Sequence, residues 1–84
     1  MDEEKHAAVR RFPAHQPAIE ALAARDEEFR SLCADFAEAE AALRHWEAAE
    51  SPTRERLCPE YRQLVQDLAD EIATALGAAR HDVR

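Results

Sequence analysis

The segment FRSLCADFAEAEAALRHW, residues 29–46, holds the most regular pattern in the chain. Its apolar residues recur at alternating spacings of three and four, as on the packing face of a helix in a coiled coil. They are Phe29, Leu32, Phe36, Ala39, Leu43 and Trp46. The pattern predicts a long helix over about residues 26–50. Asp26 is suited to cap its first turn, and Pro52 prevents its extension.

A second apolar stripe with helical spacing follows Pro52. Its large members are Leu57, Tyr61, Leu64, Leu68, Ile72 and Leu76. We expect a helix over about residues 53–77 that ends at Gly77, since glycine suits a left-handed cap. Pro59 leaves two starting points open: the helix begins near Pro52 and is kinked at Pro59, or it begins at Pro59.

The two stripes match each other when the helices are folded back antiparallel. Facing positions in such a hairpin have a nearly constant sum of residue numbers, and Phe36 with Leu68 and Leu43 with Tyr61 both give 104. The same sum places the turn at Pro52 and favours the longer second helix. The sequence therefore predicts an all-α antiparallel helical hairpin.

The N-terminal part is charged and interrupted by proline. For residues 1–16 we expect at most a short, frayed helical turn in a mobile segment. Pro17 suits the first position of a brief helix ending near Arg25, with Ile19 and Leu22 on its apolar face. The predicted organisation is a single domain over residues 17–78, followed by a mobile tail over 79–84.

Composition and charge limit the range of functions. The chain has 84 residues, one glycine and a formal net charge of −7, and residues 26–50 carry eight acids against two bases. An acidic chain gains no counterion release on DNA or RNA and is repelled by anionic membranes. Its first residues are acidic, without the apolar stretch of a signal peptide. We therefore expect a cytoplasmic protein that binds neither nucleic acid nor membrane.

The residues that usually carry chemistry are scattered. Glu3 and His6 form a lone Glu-x-x-His pair, whereas a metal site needs three or four ligands. One glycine cannot build a phosphate-binding loop. We therefore predict no catalytic residue, no cofactor, no metal site and no small-molecule substrate.

The two cysteines, Cys33 and Cys58, are far apart in the predicted register, which excludes a disulfide within one chain. Burial as small apolar side chains is one expectation for these thiols. The alternative is a surface thiol at Cys58 that links two protomers.

The apolar stripes are wider than the seam of a two-helix coiled coil, so a bare hairpin would leave them partly exposed. Either the short helix with Ile19 and Leu22 covers them, or two hairpins pair into a four-helix bundle. The shortage of core in so short a chain favours the homodimer.

The chain resembles the YdcH-like family of short bacterial proteins over residues 12–76. The resemblance rests on Phe12, Pro13, His15, Ile19, Leu22, Asp26, Phe29, Leu32, Phe36, Leu43, Glu47, the run Leu68-Ala69-Asp70-Glu71-Ile72, and Leu76. It implies a helical hairpin of unassigned function and supplies no catalytic residues. Val65 and Ala69 stand where that family tends to be basic, and Glu40 replaces a frequent asparagine.

Together these features predict a non-catalytic protein-interaction module, self-associating or bound to an unidentified protein partner. The expected packing and interface residues are Phe29, Leu32, Phe36, Leu43, Trp46, Tyr61, Leu64, Leu68, Ile72 and Leu76. The alternative is a weakly nucleic-acid-associated or regulatory protein that uses Arg54, Arg56 and Arg62 near the turn. The acids Glu55 and Glu60 stand between these arginines.

Overall fold

A computed structural model describes the backbone of residues 2–82 and the side chains of residues 5–77. Within these residues the chain is all-α and contains no strand. Four α-helices and one 3-10 turn follow in the order α1 (Asp2–Arg11), the turn Pro13–His15, α2 (Gln16–Arg25), α3 (Glu27–Ala48) and α4 (Arg54–Asp82). The molecule is elongated, with extents of 51 × 22 × 21 Å. Its main packing contacts join α3 to α4 and α1 to α3.

Helix α3 begins as the sequence predicts. The Asp26 side chain accepts a hydrogen bond from the backbone N–H of Phe29 at 3.2 Å, which confirms it as the N-cap. Glu27 and Glu28 occupy the first turn, where negative charge is favourable. The helix ends at Ala48, and the loop to α4 contains Pro52. In that loop the Ser51 hydroxyl accepts from the N–H of Thr53.

Helix α4 adopts the longer of the two predicted forms. It starts at Arg54 and includes Pro59 within its first turns. The prediction that Gly77 ends this helix is wrong, because α4 continues to Asp82 and Gly77 has no positive φ. Glycine permits a left-handed turn without requiring one, and the residues after Gly77 are compatible with a helix. The predicted tail over 79–84 is thus helical to Asp82, and residues 83 and 84 lie outside the described residues.

The expectation of at most a frayed turn near the N-terminus is also wrong. Helix α1 has ten residues, and its Ala7 and Ala8 are 1% and 0% exposed. These small side chains let α1 approach its neighbours closely, and an ion pair of 3.7 Å joins Arg10 to Glu40 of α3. Such a short helix is marginal by itself, so tertiary packing accounts for its presence.

One buried cluster joins all four helices. Its members are Ala7, Ala8, Ile19, Leu22, Ala23, Phe29, Cys33, Phe36, Ala39, Leu68, Ala69, Ile72 and Leu76. The predicted short helix over residues 17–25 is present as α2, and its Ile19 and Leu22 are buried in this cluster. Of the two ways to cover the apolar stripes, the one within a single chain is therefore realised where α1 and α2 pack.

Candidate interaction groove

The cluster does not extend along the whole α3/α4 pair. It ends at Ala39 on α3 and at Leu68 on α4, and apolar side chains nearer the loop lie outside it. Among them, Leu64 is 43% exposed. No other large apolar side chain is exposed among the residues that the structure describes. The part of the pair nearer the loop therefore presents apolar surface to solvent.

The ten predicted packing residues fall into three groups by burial. Phe29, Phe36, Leu68, Ile72 and Leu76 are buried; Leu32, Leu43, Trp46 and Tyr61 are half-buried; and Leu64 is exposed. The structure thus brings the buried residues into a core and leaves the others at its margin.

An open groove of about 360 Å³ lies between α3 and α4 where the core ends. We call it the α3/α4 groove, and its lining residues are Asp35, Glu38, Ala39, Ala42, Tyr61, Leu64 and Leu68. Small alanines on α3 face larger side chains on α4, so the concavity results from missing volume on α3. The sequence contains the three features that form this groove: small alanines at 39 and 42, leucines at 64 and 68, and acids at 35 and 38.

The groove opens on a different side of α3 from the one that α1 covers. Glu40, which pairs with Arg10 of α1, follows Asp35 by five residues, or about 140° around the helix. Cys33, buried in the cluster, precedes Glu40 by seven residues, or about two full turns, and so lies on the same side of α3 as Glu40. Docking of α1 therefore leaves the groove open.

Acidic side chains lie near this opening on both helices. Asp35 and Glu38 line it from α3, and both are exposed. On α4, Glu60 and Glu71 lie four residues before and seven after Leu64, which puts them on the face that carries Leu64. The nearest arginine on this side is Arg56, one helical turn before Glu60. We call Asp35, Glu38, Glu60 and Glu71 the acidic rim.

Three arginines, one each on α1, α3 and α4, pair with acids away from the groove. Arg44 lies 4.0 Å from Glu40 on α3, and Arg62 of α4 lies 3.7 Å from Glu47 of α3. Arg30 donates to the backbone carbonyl of Ala23. Charge is thus distributed unevenly around the α3/α4 pair, and the groove lies on its acidic side.

The three arginines of the alternative hypothesis, weak association with nucleic acid, do not form one patch. Arg54 and Arg62 line a shallow depression with Glu55, Cys58 and Pro59. Arg56 follows Arg54 by two residues, about 200° around α4, and so lies on the other side of the helix.

The two cysteines are buried, and His45 contacts an aromatic ring. Cys33 and Cys58 are buried thiols, 1% and 5% exposed. This confirms the expectation that both are buried as small side chains. The alternative of a surface thiol at Cys58 is wrong. His45 packs edge-on against Trp46 with 5.2 Å between ring centroids, and no cluster of three or more His, Cys, Asp or Glu suited to a metal occurs among the described residues.

Comparisons with known proteins give no relative. No protein-family model, no curated protein and no solved structure matches the chain. The resemblance to the YdcH-like family therefore stays a prediction. Of the helices described, none is long and apolar enough to cross a membrane.

Proposed function

We propose that this protein is a non-catalytic interaction module of the cytoplasm whose α3/α4 groove binds an apolar helix face. The observation that carries the proposal is the exposed Leu64 beside a groove floored by Ala39 and Leu68. Grooves of this kind accept amphipathic helices through apolar side chains at helical spacing. The groove spans residues 35–42 of α3, about 11 Å, which matches two turns of a partner helix.

The proposal also concerns the way in which α3 and α4 pack against each other. We infer that α3 and α4 form the antiparallel hairpin predicted from the sequence, with facing positions near a sum of 104. The ion pair between Glu47 and Arg62 supports the antiparallel direction of the two helices. The shared lining of the groove by Asp35 and Leu68, whose numbers sum to 103, supports the register. A hairpin of this kind also agrees with the proposed membership of the YdcH-like family.

Two classes of partner fit an interaction module. A second copy of the chain would place two α3/α4 pairs together as a four-helix assembly, and a different protein would supply a single helix. Both classes require Leu64 to become buried on binding.

Substitution of Leu64 by glutamate tests the proposal. Sedimentation equilibrium at micromolar concentration measures self-association, and affinity capture from the native cytosol measures binding of other proteins. Leu64→Glu should abolish whichever association the wild-type chain shows, because it puts a charge at the centre of the contact. Ala73→Glu is the matched control, since Ala73 is exposed and lies nine residues after Leu64, half a turn away around α4.

Retained secondary structure in circular dichroism shows that both variants fold. A monomeric wild-type chain with no reproducible captured protein would contradict the interaction module. An association equally weakened by Ala73→Glu would place the contact elsewhere.

A further inference from the structure

We infer that the α3/α4 groove selects a basic amphipathic helix from a different protein, and that it does not pair with a second copy of itself. The inference rests on the proposed function and specifies the chemistry of the partner. Its basis is the combination of an apolar floor with the acidic rim.

The rim determines which helix fits. Asp35 and Glu38 are one turn apart on α3, and Glu60 and Glu71 flank Leu64 on α4, so carboxylates stand on both sides of the apolar strip. All four are exposed in the unbound chain. A helix seated in the groove would place its flanking positions beside them. Lysine or arginine at those positions gains complementary charge, whereas glutamate there is repelled.

A second copy lacks that complementarity. A symmetric dimer brings the same patch of both chains together, so the acidic rim of one copy would meet the acidic rim of the other. Few arginines are placed to offset this repulsion: Arg44 and Arg62 are directed to Glu40 and Glu47, and Arg56 lies at the loop end of the rim, one helical turn before Glu60. The formal net charge of −7 adds to the repulsion between copies.

Three synthetic peptides provide the probe for binding to the full-length chain. Each carries the same leucine stripe at positions i, i+3, i+4 and i+7 of a helix of about 14 residues, and the flanking positions are all lysine, all glutamine or all glutamate. Fluorescence anisotropy measures the dissociation constant of each. We expect the order lysine, glutamine, glutamate from tightest to weakest. We also expect the lysine peptide to weaken when ionic strength rises from about 0.01 to about 0.15 M, as the screening length falls from about 30 to about 8 Å.

Paired substitutions separate the rim from total charge. Asp35→Asn with Glu38→Gln should weaken the lysine peptide by about threefold to tenfold, as expected for two exposed ion pairs, and leave the glutamine peptide unchanged. The control is Glu20→Gln with Glu55→Gln, which removes the same charge from exposed positions outside the groove. Equal weakening by both pairs would show that only net charge matters and would overturn the inference.

Other outcomes distinguish this inference from the proposed function. If the three peptides bind equally and Leu64→Glu abolishes their binding, the groove is an interaction site without charge selection, and only the inference fails. If the wild-type chain dimerises and Leu64→Glu makes it monomeric, the occupant is a second copy, and again only the inference fails. If no peptide binds, the chain is monomeric and no protein is captured reproducibly, both fail.

Discussion

At the scale of single residues, burial separates side chains that the sequence pattern treats alike. Phe36 and Leu64 both belong to the predicted apolar stripes, yet Phe36 is completely buried and Leu64 is the exposed member of the set. Phe36 lies where all four helices meet, together with Ile19, Ile72 and Cys33. Stability should therefore depend on Phe36, and binding on Leu64.

Substitution of the two residues tests this division. Phe36→Ala should lower the free energy of unfolding by about 3–5 kcal/mol, because it removes buried surface and leaves a cavity. Phe36→Leu should cost less, about 1–2 kcal/mol, and keeps the comparison measurable if the alanine variant does not fold. Leu64→Ala should change stability by less than about 1 kcal/mol. Urea unfolding followed by circular dichroism gives all three values, and equal losses at the two positions would contradict the assigned core.

At the scale of helices, the reassignment of Gly77 has a measurable consequence. Gly77 lies inside α4 without positive φ, and a Cβ added there would meet nothing within 4 Å. Gly77→Ala should therefore stabilise the protein by about 0.5–1 kcal/mol, because alanine loses less conformational freedom on folding than glycine. Ala73→Gly, at an exposed position of the same helix, should destabilise it by a similar amount. Destabilisation by Gly77→Ala in urea unfolding would restore glycine's role as a left-handed cap.

Helix boundaries show how far local signals extend. The start of α3 was predictable because the Asp26 cap acts within its own first turn, and the loop because proline acts on its immediate neighbours. Helix α1 was not predictable from such signals, since its Ala7 and Ala8 are small and its other residues mostly charged. Burial against α3 stabilises it, and periodicity does not report which alanines will be buried.

The groove was predictable only in part. Its acids and leucines are visible in the sequence pattern, but its opening depends on which side of α3 is covered by α1.

At the scale of the whole molecule, the core is concentrated away from the loop between α3 and α4. Cys33 belongs to the cluster that joins all four helices, and Cys58 is buried outside that cluster. Opening of the loop-proximal part should expose Cys58 alone, whereas exposure of Cys33 requires the helices around it to separate. The two thiols therefore report on different parts of the fold.

Thiol labelling in the native state checks this expectation. In the variants Cys33→Ala and Cys58→Ala, each with one remaining thiol, Cys58 should react faster than Cys33 with a thiol reagent. The rate at Cys33 should approach that expected from the global free energy of unfolding, while Cys58 reacts through local opening. Both should react at the same rate in denaturing urea, which controls for intrinsic reactivity. Slower labelling of Cys58 than of Cys33 in the native state would contradict the uneven core.

The uneven distribution of charge around the α3/α4 pair also affects how a partner arrives. A cationic helix that approaches the acidic rim is attracted before contact, whereas on the opposite side it meets Arg10, Arg44 and Arg62 beside their acids. Fields of this kind orient two molecules during diffusion and raise the association rate constant more than they lengthen the life of the complex. If the groove binds a basic helix as we propose, salt should therefore lower the association rate constant, while Leu64 and the apolar floor should set the dissociation rate constant.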